Sequence, residues 1–145
     1  MRHITNSEKE TFGLAKRFVA KLRGGEVLAL IGELGAGKTA FVKGLAAGLG
    51  VKNIITSPTF VLMKEYKSKV KSQKLKVLDL VHIDAYRLNS GKDLAAIGAL
   101  EYFGAKNSVV AIEWADRVKD IWPKKVIKID FKILKDNKRE ITIKY

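Results

Sequence analysis

An apolar stripe at helical spacing runs through the first part of the chain. Its members are Phe12, Leu14, Ala15, Phe18, Val19 and Leu22. The four residues just before it, SEKE at positions 7–10, have the form of a capping box, in which a serine side chain caps the helix start. The pair Gly24-Gly25 follows the stripe and is typical of a helix end. The pattern therefore predicts an opening helix that ends before Gly24.

A short apolar run, residues 26–31 (EVLALI), leads next into a glycine-rich segment. Beyond the glycines, apolar residues return at helical spacing, at Phe41, Val42, Leu45 and Leu49. This order predicts a strand, a glycine loop and a second helix. Gly44 and Gly48 fall inside that helix, where glycine is less stable than alanine, so we expect them to mark close packing against the sheet or the first helix.

The second half of the chain consists mainly of short apolar runs. Residues 59–66, 77–83 (VLDLVHI) and 109–112 (VVAI) are predicted strands, the second largely buried and the third central. Residues 90–103 have helical periodicity with a break near Gly98. Residues 126–134 and 140–145 alternate apolar with polar positions around a turn at 135–138, which predicts a carboxyl-terminal hairpin.

Composition changes this picture little. A chain of 145 residues fits one domain, residues 1–145, with a substantial core. Cysteine is absent from the sequence, which excludes disulfides, thiolate metal sites and cysteine nucleophiles. No apolar stretch approaches the roughly 20 residues that span a bilayer, so we expect a cytoplasmic protein with no membrane partner.

The net charge is unusual, because 28 Lys and Arg face 15 Asp and Glu, which leaves +13. Such a charge is compatible with polyanionic partners, or with a solvated lysine-rich surface, since Lys far outnumbers Arg. Residues 67–76 (KSKVKSQKLK) carry five Lys and no acid. They are predicted to form either a solvated hairpin connection or an RNA-facing edge.

The glycine-rich segment matches the P-loop pattern G-x-x-x-x-G-K-[ST] at every fixed position. Its residues are Gly32, Glu33, Leu34, Gly35, Ala36, Gly37, Lys38 and Thr39, and the predicted nucleotide contacts extend to Ala40. Glycines let backbone N–H groups converge on phosphate oxygens, and a helix amino terminus favours negative charge. We expect Lys38 to reach the β and γ phosphates of ATP and the Thr39 hydroxyl to bind Mg²⁺.

A carboxylate near the metal is also expected, at the carboxyl end of a buried strand. Asp84 ends VHID and Glu113 ends VVAIE, so both are candidates, with exposed strand-end carboxylates as the alternative. His82 is expected to be structural, or else to sense the site. Trp114 and Tyr86 are expected to be packing groups.

Two sequence motifs are typical of GTPases, DxxG and NKxD. The DxxG motif is absent, and NKRE at positions 137–140 only imitates NKxD, on a predicted turn. ATP is therefore favoured over GTP.

Four motifs occur in a fixed order: GELGAGKT, SPTF (Ser57, Pro58, Thr59 and Phe60), HIDAYRL and IEWADR. Together they resemble the TsaE family, also called YjeE, the bacterial ATPases of the tRNA threonylcarbamoyladenosine pathway. The resemblance covers nearly the whole chain and implies a P-loop NTPase-like three-layer α/β sandwich with a largely parallel central sheet.

The resemblance further implies ATP hydrolysis in the service of partner proteins, TsaB and TsaD, with tRNA reached indirectly through that complex. By motif, Lys38 holds phosphates, Thr39 and Glu113 hold Mg²⁺, and Asp84 orients water. The SPTF segment, including Thr59, is a switch-like element, and Thr11 lies where the opening helix contacts the nucleotide. Hydrolysis without partners is expected to be slow.

Two other functions remain open at this point. A small P-loop metabolite kinase needs an arginine-rich lid, and the chain has only six Arg with no Arg-dense loop. The second alternative is a basic RNA-binding module in which the nucleotide is merely structural. Measurement of tRNA binding across a salt series distinguishes this module from an ATPase.

Overall fold

The structure is a computed structural model that describes residues 1–56, 61–70 and 77–145. Within those ranges the strands are β1 Arg2–Thr5, β2 Val27–Ile31, β3 Met63–Tyr66, β4 Asp79–Asp84, β5 Ser108–Glu113, β6 Ile127–Ile133 and β7 Arg139–Lys144. The α-helices are α1 Glu8–Phe18, α2 Lys38–Gly48 and α3 Lys92–Ala96, and 3₁₀ segments span Val19–Lys21, Ala99–Tyr102 and Ala115–Ile121.

The described strands form one sheet of seven in the order β1-β7-β6-β2-β5-β4-β3. Its centre is parallel, because β2 pairs in parallel with both β5 and β6, and β5 with β4. The outer pairs are antiparallel, including the predicted hairpin of β6 and β7. The predicted α/β class, with a largely parallel centre and a carboxyl-terminal antiparallel hairpin, is therefore confirmed.

Helical elements cover both faces of the sheet, which gives three layers. On one face α1 and α2 pack together, and Phe18, Phe41 and Leu45 are among the buried side chains of that core. On the other face α3 and the 3₁₀ segments Ala99–Tyr102 and Ala115–Ile121 cover a second apolar cluster that includes Leu94 and Val118. The sheet is thus buried on both sides, as expected for parallel strands.

Local signals explain the first two helices. The Ser7 hydroxyl accepts a hydrogen bond from the Glu10 N–H at 3.1 Å, as the capping pattern predicts. Gly44 allows α1 to approach α2, because a Cβ there would lie 2.2 Å from the backbone oxygen of Phe12. A Cβ on Gly48 would lie 2.8 Å from the oxygen of Lys16, so both glycines mark the predicted contact with the first helix.

Two predicted elements need correction. Of the described residues in the strand expected at 59–66, Met63–Tyr66 form the strand, and Leu62 before them has a left-handed φ of 63°. Residues 57–60 and 71–76, which include part of that strand and of the basic loop, lie outside the described residues. The helix expected at 90–103 is a short α-helix followed by a 3₁₀ segment, and Gly98 at φ 79° makes the predicted break.

One element was not predicted at all. Strand β1 precedes the opening helix and pairs antiparallel with β7, the last strand of the chain. Its four residues are too few to show an alternating pattern. None of the described helices is long and apolar enough to cross a bilayer.

Candidate functional site

The glycine loop joins the carboxyl end of β2 to the first residue of α2. Gly35 has φ 78° and Gly37 has φ 105°, which are left-handed values that side chains rarely adopt. Gly37 is the residue before α2, and its carbonyl accepts the helical N–H of Phe41 at 2.9 Å. These glycines turn the chain sharply from the strand into the helix, so the amino terminus of α2 faces the edge of the sheet.

Lys38 is buried at this helix start, with 4% of its surface exposed. Its ammonium donates to the carbonyls of Gly32 at 2.5 Å and Glu33 at 2.8 Å, and lies 4.1 Å from the centre of the Trp114 ring. Burial lowers the pKa of Lys38 below its ordinary value, opposed mainly by the negative charge of Glu113. A buried cation in this state is stabilised by any anion that enters the cleft.

Glu113, the last residue of β5, connects the predicted metal ligand Thr39 with His82, which was expected to be structural. Its Oε1 accepts a hydrogen bond from the Thr39 hydroxyl at 2.9 Å, and its Oε2 lies 2.6 Å from Nε2 of His82. Both side chains of the Glu113–His82 pair are almost fully buried. Within the described part of the chain, Nδ1 of His82 has no hydrogen-bond partner. His82 therefore holds a carboxylate of the site, which the sequence left undecided.

Asp84 and Glu113 are directly paired neighbours on the parallel strands β4 and β5. The carboxyl ends of parallel strands meet at one edge of the sheet, so the prediction that both acids share that edge is confirmed. Asp84 is 9% exposed, and its Oδ1 accepts the N–H of Tyr86 at 2.9 Å.

These residues surround a cleft of about 320 Å³, here called the loop cleft. It is lined by Glu8, Leu34, Gly35, Gly37, Lys38, Thr39, Ala40, Asp84, Glu113 and Trp114. The lining combines one buried cation with three carboxylates and the first backbone of α2. Such a site presents positive charge and N–H groups on one side and hard oxygen donors on the other.

Two aromatic rings form one wall of this region. Trp114 has a left-handed φ of 57°, and its ring lies 5.0 Å from that of Tyr86. The Arg117 guanidinium lies over both rings, at 5.4 Å from Tyr86 and 5.5 Å from Trp114. The two aromatics pack together as expected, but Trp114 also lies against Lys38.

The other predicted residues lie at the rim of the loop cleft or outside it. Ala36 is fully buried, Glu33 contributes its carbonyl to Lys38, and Leu34 is 81% exposed at the rim. Thr11 is fully buried and shares a hydrogen bond of 2.8 Å with Thr5. A Cβ placed on Gly37 would lie 3.5 Å from Thr11 Cγ2, so Thr11 sits directly behind the loop. The SPTF residues Ser57, Pro58, Thr59 and Phe60 lie outside the described residues.

The structure also adds residues that sequence reasoning missed. Glu8 and Trp114 line the loop cleft, and the position of Trp114 directly after Glu113 was a usable signal. Arg139, from the start of β7, donates through Nη2 to the Gly35 carbonyl at 3.2 Å. Nothing local could reveal that contact, because 104 residues separate the two positions.

The fold and the loop cleft together define an α/β protein that carries the P-loop sequence between a central strand and its helix, with two strand-end acids opposite. Comparison with known proteins identifies the group within this class. Residues 5–141 match the family model described as Threonylcarbamoyl adenosine biosynthesis protein TsaE. The chain belongs to the TsaE family.

Individual relatives agree with this family. The tRNA threonylcarbamoyladenosine biosynthesis protein TsaE of Treponema pallidum is 41% identical over 144 residues, which cover 99% of both chains. The protein of the same name from Bacillus subtilis is 40% identical over 95% of this chain and 81% of its own. Among solved structures, YdiB of Bacillus subtilis matches with a TM-score of 0.79 at 36% identity, over 99% of this chain and 83% of that one.

Proposed function

We propose that the protein binds ATP with Mg²⁺ in the loop cleft and hydrolyses the ATP as part of tRNA threonylcarbamoyladenosine biosynthesis. The observation that carries the proposal is one cluster of side chains. Lys38 and Thr39 begin α2, and Thr39 is hydrogen-bonded to Glu113. Glu113 on β5 lies directly beside Asp84 on the neighbouring strand β4. This cluster holds the parts that phosphoryl transfer needs.

The loop and Lys38 would hold the phosphates. Backbone N–H groups at the start of α2 are without helical acceptors and favour an anion. Lys38 is already buried and desolvated, so its charge acts at short range in a medium of low polarity. Phosphate oxygens would replace the carbonyls of Gly32 and Glu33 as its partners. Lys38 would thus both bind the phosphates and stabilise their negative charge.

The donor set also fits Mg²⁺. The Thr39 hydroxyl and the Glu113 carboxylate are hard oxygen donors, which this ion prefers. Among the described residues no group of three His, Cys, Asp or Glu could hold a metal, so those residues alone do not form a complete metal site. That matches an ion that takes its remaining ligands from phosphates and water. When bound, Mg²⁺ neutralises charge that develops on the phosphates.

Asp84 is the residue proposed to orient the attacking water. Its Oδ1 is fixed by the Tyr86 N–H, and the carboxylate lies in the loop cleft beside Glu113. A carboxylate held in this way accepts a proton from water and fixes its direction of approach. Glu113 is already engaged on both oxygens, by Thr39 and His82, which favours division of roles between the two acids.

The names of the relatives support the pathway, and the partners follow as part of the proposal. The protein would act on a TsaB–TsaD transferase complex in the cytoplasm and would reach tRNA through that complex. Its own hydrolysis would be slow until the partners complete the site, as a trans-acting group does in other P-loop enzymes.

Calorimetric titration with ATP and with GTP, each with and without Mg²⁺, tests the nucleotide part. We expect Mg²⁺-dependent ATP binding that is lost in Lys38→Ala, and a tight preference for GTP would overturn the assignment. Capture of purified TsaB–TsaD in ATP and in ADP, with phosphate release measured in parallel, tests the partner part. Equal capture in both nucleotides with no stimulation of hydrolysis would contradict it.

A further inference from the structure

A second cleft, about 830 Å³ in volume, lies at the other end of the sheet. Its lining includes Lys21, Lys106, Lys124 and Lys125, and it is here called the basic cleft. Lys106 comes shortly before β5, and Lys124 and Lys125 come shortly before β6, so these residues stand at the amino ends of parallel strands. The loop cleft lies at the carboxyl ends of the strands in the same sheet. The two clefts are therefore on opposite edges.

The loops that form the basic cleft are tied to one another. The Gly25 N–H donates to the Ser108 carbonyl at 2.8 Å, and the Gly104 N–H donates to the Gly25 carbonyl at 3.1 Å. Gly24 has φ 100°, and a Cβ there would lie 2.1 Å from the Lys106 oxygen. Only glycine permits this approach. Lys106 is therefore held beside the Gly24-Gly25 turn, and the pairing of Leu28 with Ile127 brings the loop of Lys124 and Lys125 alongside.

The charge of the basic cleft is not neutralised by its surroundings. Its one acidic lining residue is Glu26, whose two oxygens accept the N–H groups of Arg23 at 2.7 Å and Gly24 at 2.8 Å. Of the carboxylates in the described ranges, none lies within ion-pair distance of the four lysines. Lys67, in contrast, pairs with both Glu65 and Asp79. The four lysines therefore bring positive charge to the basic cleft that no carboxylate of the described residues neutralises.

An aromatic ring and an apolar patch complete the lining. Tyr145 lines the cleft while 71% of its surface is exposed, and Val126 and Ile127 contribute apolar surface. Aromatic rings beside a lysine-rich groove are typical of sites where an RNA base stacks while its phosphates meet the cations. A flat bilayer surface, in comparison, could not reach the floor of a concave cleft.

We propose that the basic cleft binds RNA, with its lysines against the sugar-phosphate backbone and Tyr145 stacked on an unpaired base. A lysine ammonium acts on a phosphate as a point charge and does not form the paired hydrogen bonds by which arginine recognises a base edge. The binding is therefore expected to depend little on the RNA sequence. The choice of tRNA as the RNA rests on the proposed function. The basic cleft then adds a direct contact to the tRNA that the partner complex brings, while the loop cleft on the opposite edge stays open to ATP.

The test measures binding of a folded, unmodified tRNA transcript to the full chain across a salt series. The variant is Lys106→Ala/Lys124→Ala/Lys125→Ala, and the matched control is Lys92→Ala/Lys119→Ala/Lys132→Ala, which changes the same charge at exposed sites outside the cleft. We expect the cleft variant to lose affinity about tenfold or more and its salt slope to fall by about 3. Tyr145→Ala should weaken binding about fivefold with little change in slope.

Equal losses in the two triple variants would overturn the proposal, since they would show that overall charge alone attracts tRNA. Absence of tRNA binding by the unaltered chain at low salt would overturn it as well. A parallel arm uses vesicles of phosphatidylserine and phosphatidylcholine, and a cleft-dependent loss of vesicle binding with tRNA binding unchanged would favour a membrane instead. Lys38→Ala separates the two proposals, because it should abolish ATP binding and leave tRNA binding intact.

Discussion

Nε2 of His82 and Oε2 of Glu113 lie 2.6 Å apart, and both side chains are shielded from solvent. An ionised carboxylate only accepts hydrogen bonds, so with Glu113 in that form the shared proton belongs to Nε2. A buried acceptor that loses its donor retains the full cost of leaving water. The pair therefore connects the stability of the sheet to the position of a carboxylate in the loop cleft.

Replacement of the imidazole tests this connection. We expect His82→Leu to lower the free energy of unfolding by about 1–3 kcal/mol and to weaken Mg²⁺-dependent ATP binding. His82→Gln can place an N–H near the same carboxylate oxygen, so it should recover part of both losses. Urea denaturation and calorimetry measure the two effects. Equal ATP binding in all three proteins would show that His82 serves the core alone.

Thr39 is predicted to act through its hydroxyl. Thr39→Val keeps the shape of the side chain but removes the donor to Glu113. We expect the Mg²⁺ concentration needed for half-maximal ATP binding to rise about tenfold, which is the typical scale for loss of one ligand or its partner. Thr39→Ser retains the hydroxyl and should behave like the unaltered chain. If valine and serine gave the same Mg²⁺ dependence, the hydroxyl would have no role in metal binding.

Lys38 is predicted to lower the free energy of unfolding, although it is needed for ATP binding. Burial lowers its pKa from the ordinary 10.5, so between the folded and unfolded pKa values the unfolded chain binds more protons. The unfavourable contribution is thus fully present below that window and is relieved as the pH rises towards 10.5. Lys38→Met should lose ATP binding without a lower unfolding midpoint at neutral pH.

The same variant gives a pH signature. The unaltered chain should gain stability relative to Lys38→Met as the pH rises through the alkaline window, because only the unaltered chain has this buried amine. Thermal unfolding of the pair at several pH values measures the difference, and other lysines cancel in the comparison. A constant difference across that window would contradict the prediction.

Asp84 is predicted to affect hydrolysis more than binding. In Asp84→Asn the side-chain oxygen can still accept the Tyr86 N–H, so the local turn should persist. The amide cannot take a proton from water, and we expect the rate of ATP hydrolysis with partners present to fall about tenfold or more. ATP affinity, measured by calorimetry, should change much less. A loss of affinity equal to the loss of rate would assign Asp84 to binding.

Gly44 and Gly13 provide a matched pair within the two packed helices. Alanine favours a helix over glycine by about 1 kcal/mol. At Gly44 the new methyl group would meet the Phe12 carbonyl at 2.2 Å, and the overpacking should lower the free energy of unfolding by about 1–3 kcal/mol overall. At Gly13 the nearest atom is the end of the flexible Arg17 side chain, at 3.3 Å, so alanine should stabilise. Urea denaturation of both variants decides the signs.

The sequence by itself determined the elements whose signals are local. The Ser7 cap and the apolar stripe predicted α1, and the glycine loop was placed correctly between β2 and α2. Apolar runs that end in Asp84 and Glu113 put both acids at one edge of the sheet, since parallel strands share a direction. Such features depend on neighbours a few residues apart, so they can be read from spacing.

Only the tertiary structure decided which distant segments meet. The pairing of β1 with β7, the contact of His82 with Glu113 and the position of Trp114 against Lys38 all join segments far apart in sequence. The convergence of lysines from three loops into the basic cleft is of the same kind. These contacts depend on the order of strands in the sheet, which is set by packing of the whole core and leaves no local pattern in the chain.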